Sequence, residues 1–241
     1  MFWTTSAIEL KAIADTLKDI LTTCWFVFTH DKIELINIDP EKVVTVKLDL
    51  RPMPDNYNCV EPFSFCMYIQ VLYKVLRGCK PNEKAVLQNN AGSGNLSIEI
   101  REENNNDNIK MKIILNGLQD PLPKYIVPNQ MYDKSLTFNA SRLYYIFHDL
   151  GAISRVFTLS CSGNSVGFQS QDESGTNLTF CEPVENLNYK FSASFLVKYI
   201  EKYLKPKLGK HVTLRMKQGT PLSVVYYLET GFLELTIAPL D

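Results

Sequence analysis

The chain has 241 residues, 45% hydrophobic and 21% charged, with 25 Lys and Arg against 26 Asp and Glu for a net charge of −1. So apolar a chain at so low a net charge is not disordered, and its length suits one large domain or two of about 120 residues, each with its own core. No run of about 18 apolar residues is present to cross a bilayer, and Met1-Phe2-Trp3-Thr4-Thr5 lacks the basic and apolar regions of a signal peptide.

Residues 6–21 read as a helix, because Leu10, Ile13, Leu17, Ile20 and Leu21 recur at helical spacing and Ser6 with Glu9 fits a capping box. Residues 25–28 and 33–37 read as strands joined by His30-Asp31-Lys32. Over 43–50, Val44, Val46, Leu48 and Leu50 alternate with polar residues, as in a half-buried strand. Residues 65–76 read as a second helix, stopped by Gly78 and Pro81. Strands are expected at 85–88, 96–101 and 109–115, the last two flanking an Asn-rich loop at 102–108. Pro121, Pro123 and Pro128 then forbid a helix interior or a central strand and mark a domain boundary. Beyond it the sequence predicts a third helix over 139–150 and a hairpin of 156–161 and 165–170 around Gly163-Asn164. A strand over 178–181 and a fourth helix over 195–204, ended by Pro206, come next. Strands 212–217, 222–228 and 232–237 close the chain, the last two turned by Thr230-Gly231.

The halves resemble one another. Lys80-Pro81 follows helix two as Lys205-Pro206 follows helix four. Ala85 and His211 are matched, as are Leu96-Ser97-Ile98 and Leu222-Ser223-Val224, both at an offset of 126 (211 − 85; 222 − 96). The expected fold is α+β, with similar domains over 1–115 and 133–241 about a connector at 116–132. Two unrelated α+β halves are the alternative.

Little catalytic chemistry is visible. The six cysteines (24, 59, 66, 79, 161, 181) form no CxxC pair and mostly lie in apolar stretches, which reads as buried reduced thiols. His30, His148 and His211 stand alone, and no HExxH, GxSxG or GxxxxGK[ST] motif occurs. No enzyme activity, metal or cofactor is therefore expected. The basic residues are more informative. Helix two carries Lys74 and Arg77, with Lys80 one turn on. Helix four carries Lys198, Lys202 and Lys205, extended by Lys207 and Lys210. Helix one carries Lys11 and Lys18 with Asp15 between them, and helix three only Arg142 and His148, beside Asp149. A basic stripe is commonly a solvated helix face. Here, however, bases gather on helices and acids in loops, which presents a positive surface to a polyanion from a neutral chain. Phosphate contacts of that kind give affinity without sequence readout. No aromatics interleave with the lysines as in single-strand binders, so contact with a duplex backbone is the better match.

Several segments are similar to the proliferating cell nuclear antigen family, the eukaryotic-type DNA sliding clamps. They are Leu17-Lys18-Asp19-Ile20 to Cys24-Trp25, Ile33-Glu34-Leu35-Ile36-Asn37-Ile38-Asp39 to Val43, Leu48-Asp49-Leu50-Arg51, and Tyr73-Lys74-Val75-Leu76-Arg77-Gly78-Cys79. Gly231-Phe232-Leu233 to Ile237-Ala238-Pro239 completes the set, which is collinear over essentially the whole chain. The resemblance implies a homotrimeric ring with helices lining the hole and sheets outside. It places Lys11, Lys18, Lys74, Arg77, Lys198 and Lys205 on or next to the channel helices, with Lys80, Lys202, Lys207 and Lys210 as basic neighbours. It implies a pocket for client peptides of the PIP-box type at Ile38, Val43, Ile126, Pro221, Ile237, Ala238 and Pro239. It implies subunit edges at Ile109, Met111, Ile113 and Leu115 and at Asn177, Leu178, Thr179, Phe180 and Cys181. DNA polymerase and an ATP-driven clamp loader are the implied partners, without a membrane. The implied location is nuclear, or a cytoplasmic viral replication site for a virus-encoded member. The chain departs from the family at Tyr145 and His148, where arginine is commoner, and at Lys42, Thr236 and Ile237. An open monomeric or dimeric clamp-like polymerase accessory factor, holding DNA by charge, is the alternative function.

Overall fold

Ser6 closes one strand and caps a helix. Its hydroxyl accepts from the Glu9 N–H at 3.5 Å, satisfying a donor that the helix itself cannot. A computed structural model describes residues 1–89, 94–102, 105–118 and 130–240. Strand β1 (Phe2–Ser6) runs into α1 (Ala7–Leu17), followed by β2 (Thr23–Phe28), β3 (Ile33–Ile38) and β4 (Val44–Leu50). A 3-10 turn at Pro54–Asn56 leads to β5 (Tyr57–Asn58), β6 (Phe63–Tyr68), α2 (Ile69–Leu76), β7 (Glu83–Gln88), β8 (Asn95–Glu102) and β9 (Asn105–Asn116). The later half holds β10 (Lys134–Asn139), α3 (Ala140–Ile153), β11 (Val156–Ser162), β12 (Ser165–Gln171) and β13 (Asn177–Pro183). It ends with β14 (Phe191–Leu196), α4 (Val197–Tyr203), β15 (His211–Met216), β16 (Leu222–Tyr227) and β17 (Gly231–Ile237).

The chain divides into two units. One comprises Met1–Pro40, Val46–Ile126 and Leu228–Leu233, the other Glu41–Thr45, Val127–Tyr227 and Glu234–Asp241. Each thus takes a short segment from the opposite half, which a boundary drawn from prolines alone does not reveal. Within the first unit the sheet orders are β5-β1-β7-β8-β9 and β6-β2-β3-β4; within the second they are β10-β15-β16-β17 and β14-β11-β12-β13. Apart from the short β5, strand for strand these are the same plan, with α1 packed on α2 and α3 on α4.

Burial repeats more faithfully than residue identity. In α1 the residues Ala7, Leu10, Ile13, Ala14 and Leu17 are buried; in α3, 133 positions on, so are Ala140, Leu143, Ile146, Phe147 and Leu150. Ile69, Leu72 and Leu76 recur 128 positions on as Val197, Ile200 and Leu204. Each set is one apolar stripe at helical spacing. Hydrogen-bond register refines the strand offsets. Ser6 lies opposite Lys84 and Asn139 opposite His211, an offset of 127 (211 − 84) rather than 126. Buried Ala85 therefore matches buried Val212, not exposed His211. One slipped residue exchanges the two faces of a strand. The offset of 126 holds from Leu96 and Leu222 onward, both buried.

Two expected helices start too early, in the same way. Residues 63–68 and 191–196 are strands, and the helices begin only at Ile69 and Val197. Neither Tyr68 nor Leu196 provides a capping side chain, so a short apolar run gives no mark of where strand becomes helix. Helix one ends at Leu17, before the expected 21, whereas helix three continues to Ile153. Five cysteines are buried, but Cys181 is exposed, because β13 ends its sheet and shows no fully buried residue.

Two buried acids stitch β9 to its sheet. Glu99 on β8 accepts from Lys112 Nζ at 2.8 Å and from Arg101; Glu83 on β7 accepts from Lys110 and from the Lys80 N–H at 2.8 Å. Hydrogen bonds from Lys112 and Arg101 outweigh burial and hold the Glu99 carboxyl below its ordinary value of 4.5. Burial pushes Glu83 up, but Lys110 and the Lys80 N–H outweigh it, and the net shift is also downward. A carboxyl lowered by folding stabilises fully above its unfolded pKa and loses that stabilisation as pH falls through the folded one. Glu99→Gln therefore destabilises the protein at neutral pH. Its deficit against the wild type, measured by urea unfolding, narrows as pH drops from about 6 to about 3. A deficit constant with pH would show that the charge on Glu99 does not stabilise the fold.

Candidate nucleic-acid interface

Cations favour helix C-termini, where unpaired carbonyls leave a partial negative charge. Lys74 stands in the last turn of α2, and Arg77 is its C-cap. At the offset of 128 their counterparts are Lys202, in the last turn of α4, and Lys205 just beyond it. Basic residues thus recur at matched positions on the two short helices. Lys74, Arg77, Lys80, Lys202, Lys207 and Lys210 are exposed, and none forms an ion pair with another described residue. Because α4 ends at Tyr203, Lys205, Lys207 and Lys210 lie in the segment after the helix and do not continue a helical stripe.

The other expected cations already have partners. Lys198 Nζ holds both oxygens of Glu41 at 2.7 and 2.6 Å and lies over the Tyr199 ring. Lys18 bonds Asp15 at 3.0 Å and Asp19 at 2.9 Å above the Tyr73 ring. Partial burial favours its neutral amine, but the two carboxylates outweigh this and raise its pKa. Arg142 Nε donates to Glu182 Oε1 at 3.0 Å, with its guanidinium over Phe180. Lys11 Nζ reaches the Cys79 carbonyl at 3.4 Å. Lys18, Arg142 and Lys198 therefore contribute less free positive charge than their spacing implies, whereas Lys11, held by a neutral carbonyl, keeps its charge.

Arg155 escapes a search by helix spacing because it follows the end of α3. It is exposed and lines a cleft of about 420 Å³ with Ser154, Lys198 and Glu201. Across that cleft α3 and α4 approach closely at Gly151, where a Cβ would lie 3.2 Å from Glu201 and from Val197. His148 Nδ1 lies 3.1 Å from Glu201 Oε1 and joins the same two helices. Among the described residues no group of three or more His, Cys, Asp or Glu is placed to hold a metal ion, and no helix is long and apolar enough to cross a membrane.

The models of the proliferating cell nuclear antigen N-terminal and C-terminal domains match residues 3–120 and 126–240 in order. The chain belongs to the proliferating cell nuclear antigen family. It is 23% identical to the proliferating cell nuclear antigen of Dictyostelium discoideum, with 95% of each chain covered, and 22% identical to that of Saccharomyces cerevisiae, covering 95% of this chain and 93% of the other. The crystal structure of the Entamoeba histolytica protein matches the whole chain and 98% of its own with a TM-score of 0.91 at 19% identity, which shows the same fold. As a member of the proliferating cell nuclear antigen family the chain is a DNA sliding clamp, a polymerase processivity factor.

One residue expected at the client pocket is not at the surface. Ile237 has no exposed surface, so it is a core residue and cannot line a surface pocket; alternation along β17 turns Thr236 outward instead. Val43, Pro221 and Pro239 are half-buried and Ala238 is exposed, its N–H donating to the Val43 carbonyl at 3.1 Å. Ile38 is half-buried in the first unit, and Ile126 lies outside the described residues. Strand β9 ends one sheet and β13 another. Ile109 is exposed, Met111 and Ile113 are half-buried and Leu115 is buried. Asn177, Thr179 and Cys181 are exposed, with Leu178 and Phe180 half-buried between them.

Proposed function

We propose that three copies of this chain close into a ring around duplex DNA, with the helices toward the DNA and the β9 edge of each copy paired to the β13 edge of the next. The recurrence of cations at Lys74 and Arg77 and at Lys202 and Lys205 carries this reading. Contacts from such residues to phosphates are independent of sequence and individually weak, so they permit sliding. Retention comes from topology, because a closed ring cannot leave a duplex sideways. Head-to-tail edge pairing closes when the rotation between copies returns on itself, and closure removes the exposed strand edges.

The chain makes and breaks no covalent bond in this reading. It holds DNA polymerase and other clients near the primer end and so raises their effective concentration. PIP-box-type peptides dock at Ile38, Val43, Ile126, Pro221, Ala238 and Pro239. An ATP-driven loader opens the ring, and the nucleus is the compartment, as in the relatives' name. To the channel cations the reading adds Arg155, which has no ion pair with a described residue.

Mass in solution and retention on DNA test this together. The expected mass is that of three protomers, and the loaded clamp stays on closed circular duplex in salt that strips it from the same DNA once linearised. A single-protomer or dimer mass, with salt-sensitive release from both DNAs, would establish the open charge-bound factor instead.

A further inference from the structure

Helix α3 presents an unusual face for a DNA-facing element. Arg142 is tied to Glu182 and His148 to Glu201, so both side chains are already engaged. The residue between them that stands open to solvent is Tyr145, 62% exposed. Its hydroxyl forms no hydrogen bond with a described residue. Helix packing does not demand an aromatic there, because the matched position in α1, 133 residues earlier, is Ala12 at 8% exposure.

The ring is nevertheless held. Tyr144 packs edge-on against Tyr145 with centroids 5.6 Å apart and stacks on His148 at 6.2 Å, and His148 is fixed by Glu201 on α4. Arg142, three residues before the tyrosine, is drawn toward Glu182 and Phe180. Lys198 lies three residues before Glu201 on α4 and Lys202 directly after it. His148 therefore links the helix that carries the tyrosine to the helix that carries these cations.

We infer that Tyr145 is a DNA-contacting residue of this clamp, donating its phenol hydrogen bond to a phosphate oxygen of the duplex as a neutral contact where neighbouring lysines make charged ones. The inference rests on the reading that the helices face DNA. Tyrosine hydroxyls are among the donors that meet the DNA backbone. A neutral donor displaces no condensed counterion, so it adds affinity without adding to the salt dependence, unlike a lysine.

Tyr145→Phe isolates the hydroxyl, removing one oxygen from an exposed side chain and leaving the ring and its neighbours. Binding of the full-length assembled protein to a short fluorescent duplex is measured across a salt series, with assembly mass checked for each variant. The expected result is affinity about threefold weaker at every salt concentration, with the slope of log affinity against log salt unchanged. Lys202→Ala, measured alongside, makes that slope shallower. Unchanged affinity in Tyr145→Phe with a shallower slope in Lys202→Ala would overturn this inference alone, as would a slope change in Tyr145→Phe. Indifference of Tyr145→Phe, Lys202→Ala and the double charge reversal of Lys74 and Arg77 would overturn it together with the reading beneath it.

Discussion

Lys74→Glu combined with Arg77→Glu weakens retention on DNA at least about tenfold and leaves assembly intact. Each protomer changes by four charge units on one helix end, and every assembled copy carries the change. If each residue neutralises one phosphate, each loss reduces the salt slope by about 0.9, so the defect is largest at low salt. Both side chains are exposed and lack an ion pair with a described residue, so no buried partner is orphaned. The cost to folding is the reversed charge at a helix C-terminus, about 0.3–1 kcal/mol per site, small beside the 5–15 kcal/mol or so of a typical domain. Processivity assays and a salt titration on circular duplex measure the effect. Normal processivity from a folded, assembled double variant would mean that DNA does not run along α2.

Gly231→Ala acts on folding and has nothing to do with glycine's freedom to adopt positive φ. A Cβ at Gly231 would collide with the Asp49 carbonyl oxygen and lie 2.9 Å from Leu50 Cα. Those are backbone atoms of β4, which no rotamer change can move aside. The same crossing is tied by the Arg51 N–H donating to the Thr230 carbonyl at 2.7 Å, and the turn itself is closed by the Leu228 N–H donating to the Gly231 carbonyl at 2.9 Å. Relief requires the start of β17 to separate from β4. A loss of about 3 kcal/mol or more is expected, beyond ordinary overpacking because the obstacle is main chain. Urea unfolding reads it directly, and an unchanged midpoint would be incompatible with so close a crossing.

What is legible in the sequence depends on the signal that each feature leaves there. The helix stripes are readable because burial at Leu10, Ile13 and Leu17 follows from period alone. The joins at Tyr68 and Leu196 are not, because each strand feeds its helix without a polar cap. The strands at Phe2–Ser6 and Lys134–Asn139 are hidden too; each is short and merges with the helix signal that follows. Resemblance sets Ile237 on the surface, yet its parity in β17 sends it inward. The ion pairs are out of reach: Lys198 and Glu41 are 157 residues apart and Arg142 and Glu182 are 40 apart, so no local spacing joins them. For the same reason Lys198 and Arg142 read as free cations in the sequence, while Arg155, outside any helix, leaves no periodic signal.

The charges along the two outer rails have a mechanical consequence. Lys110 and Lys112 on β9 lean back onto Glu83 and Glu99, and Glu182 on β13 is claimed by Arg142. In the proposed ring, a neighbour docking on either edge meets Lys110, Lys112 and Glu182 already paired within their own subunit. Cohesion of the proposed ring is then expected to depend less on ionic strength than its grip on the threaded polyanion. Such a ring would loosen its hold on the track before it loosened its own joints.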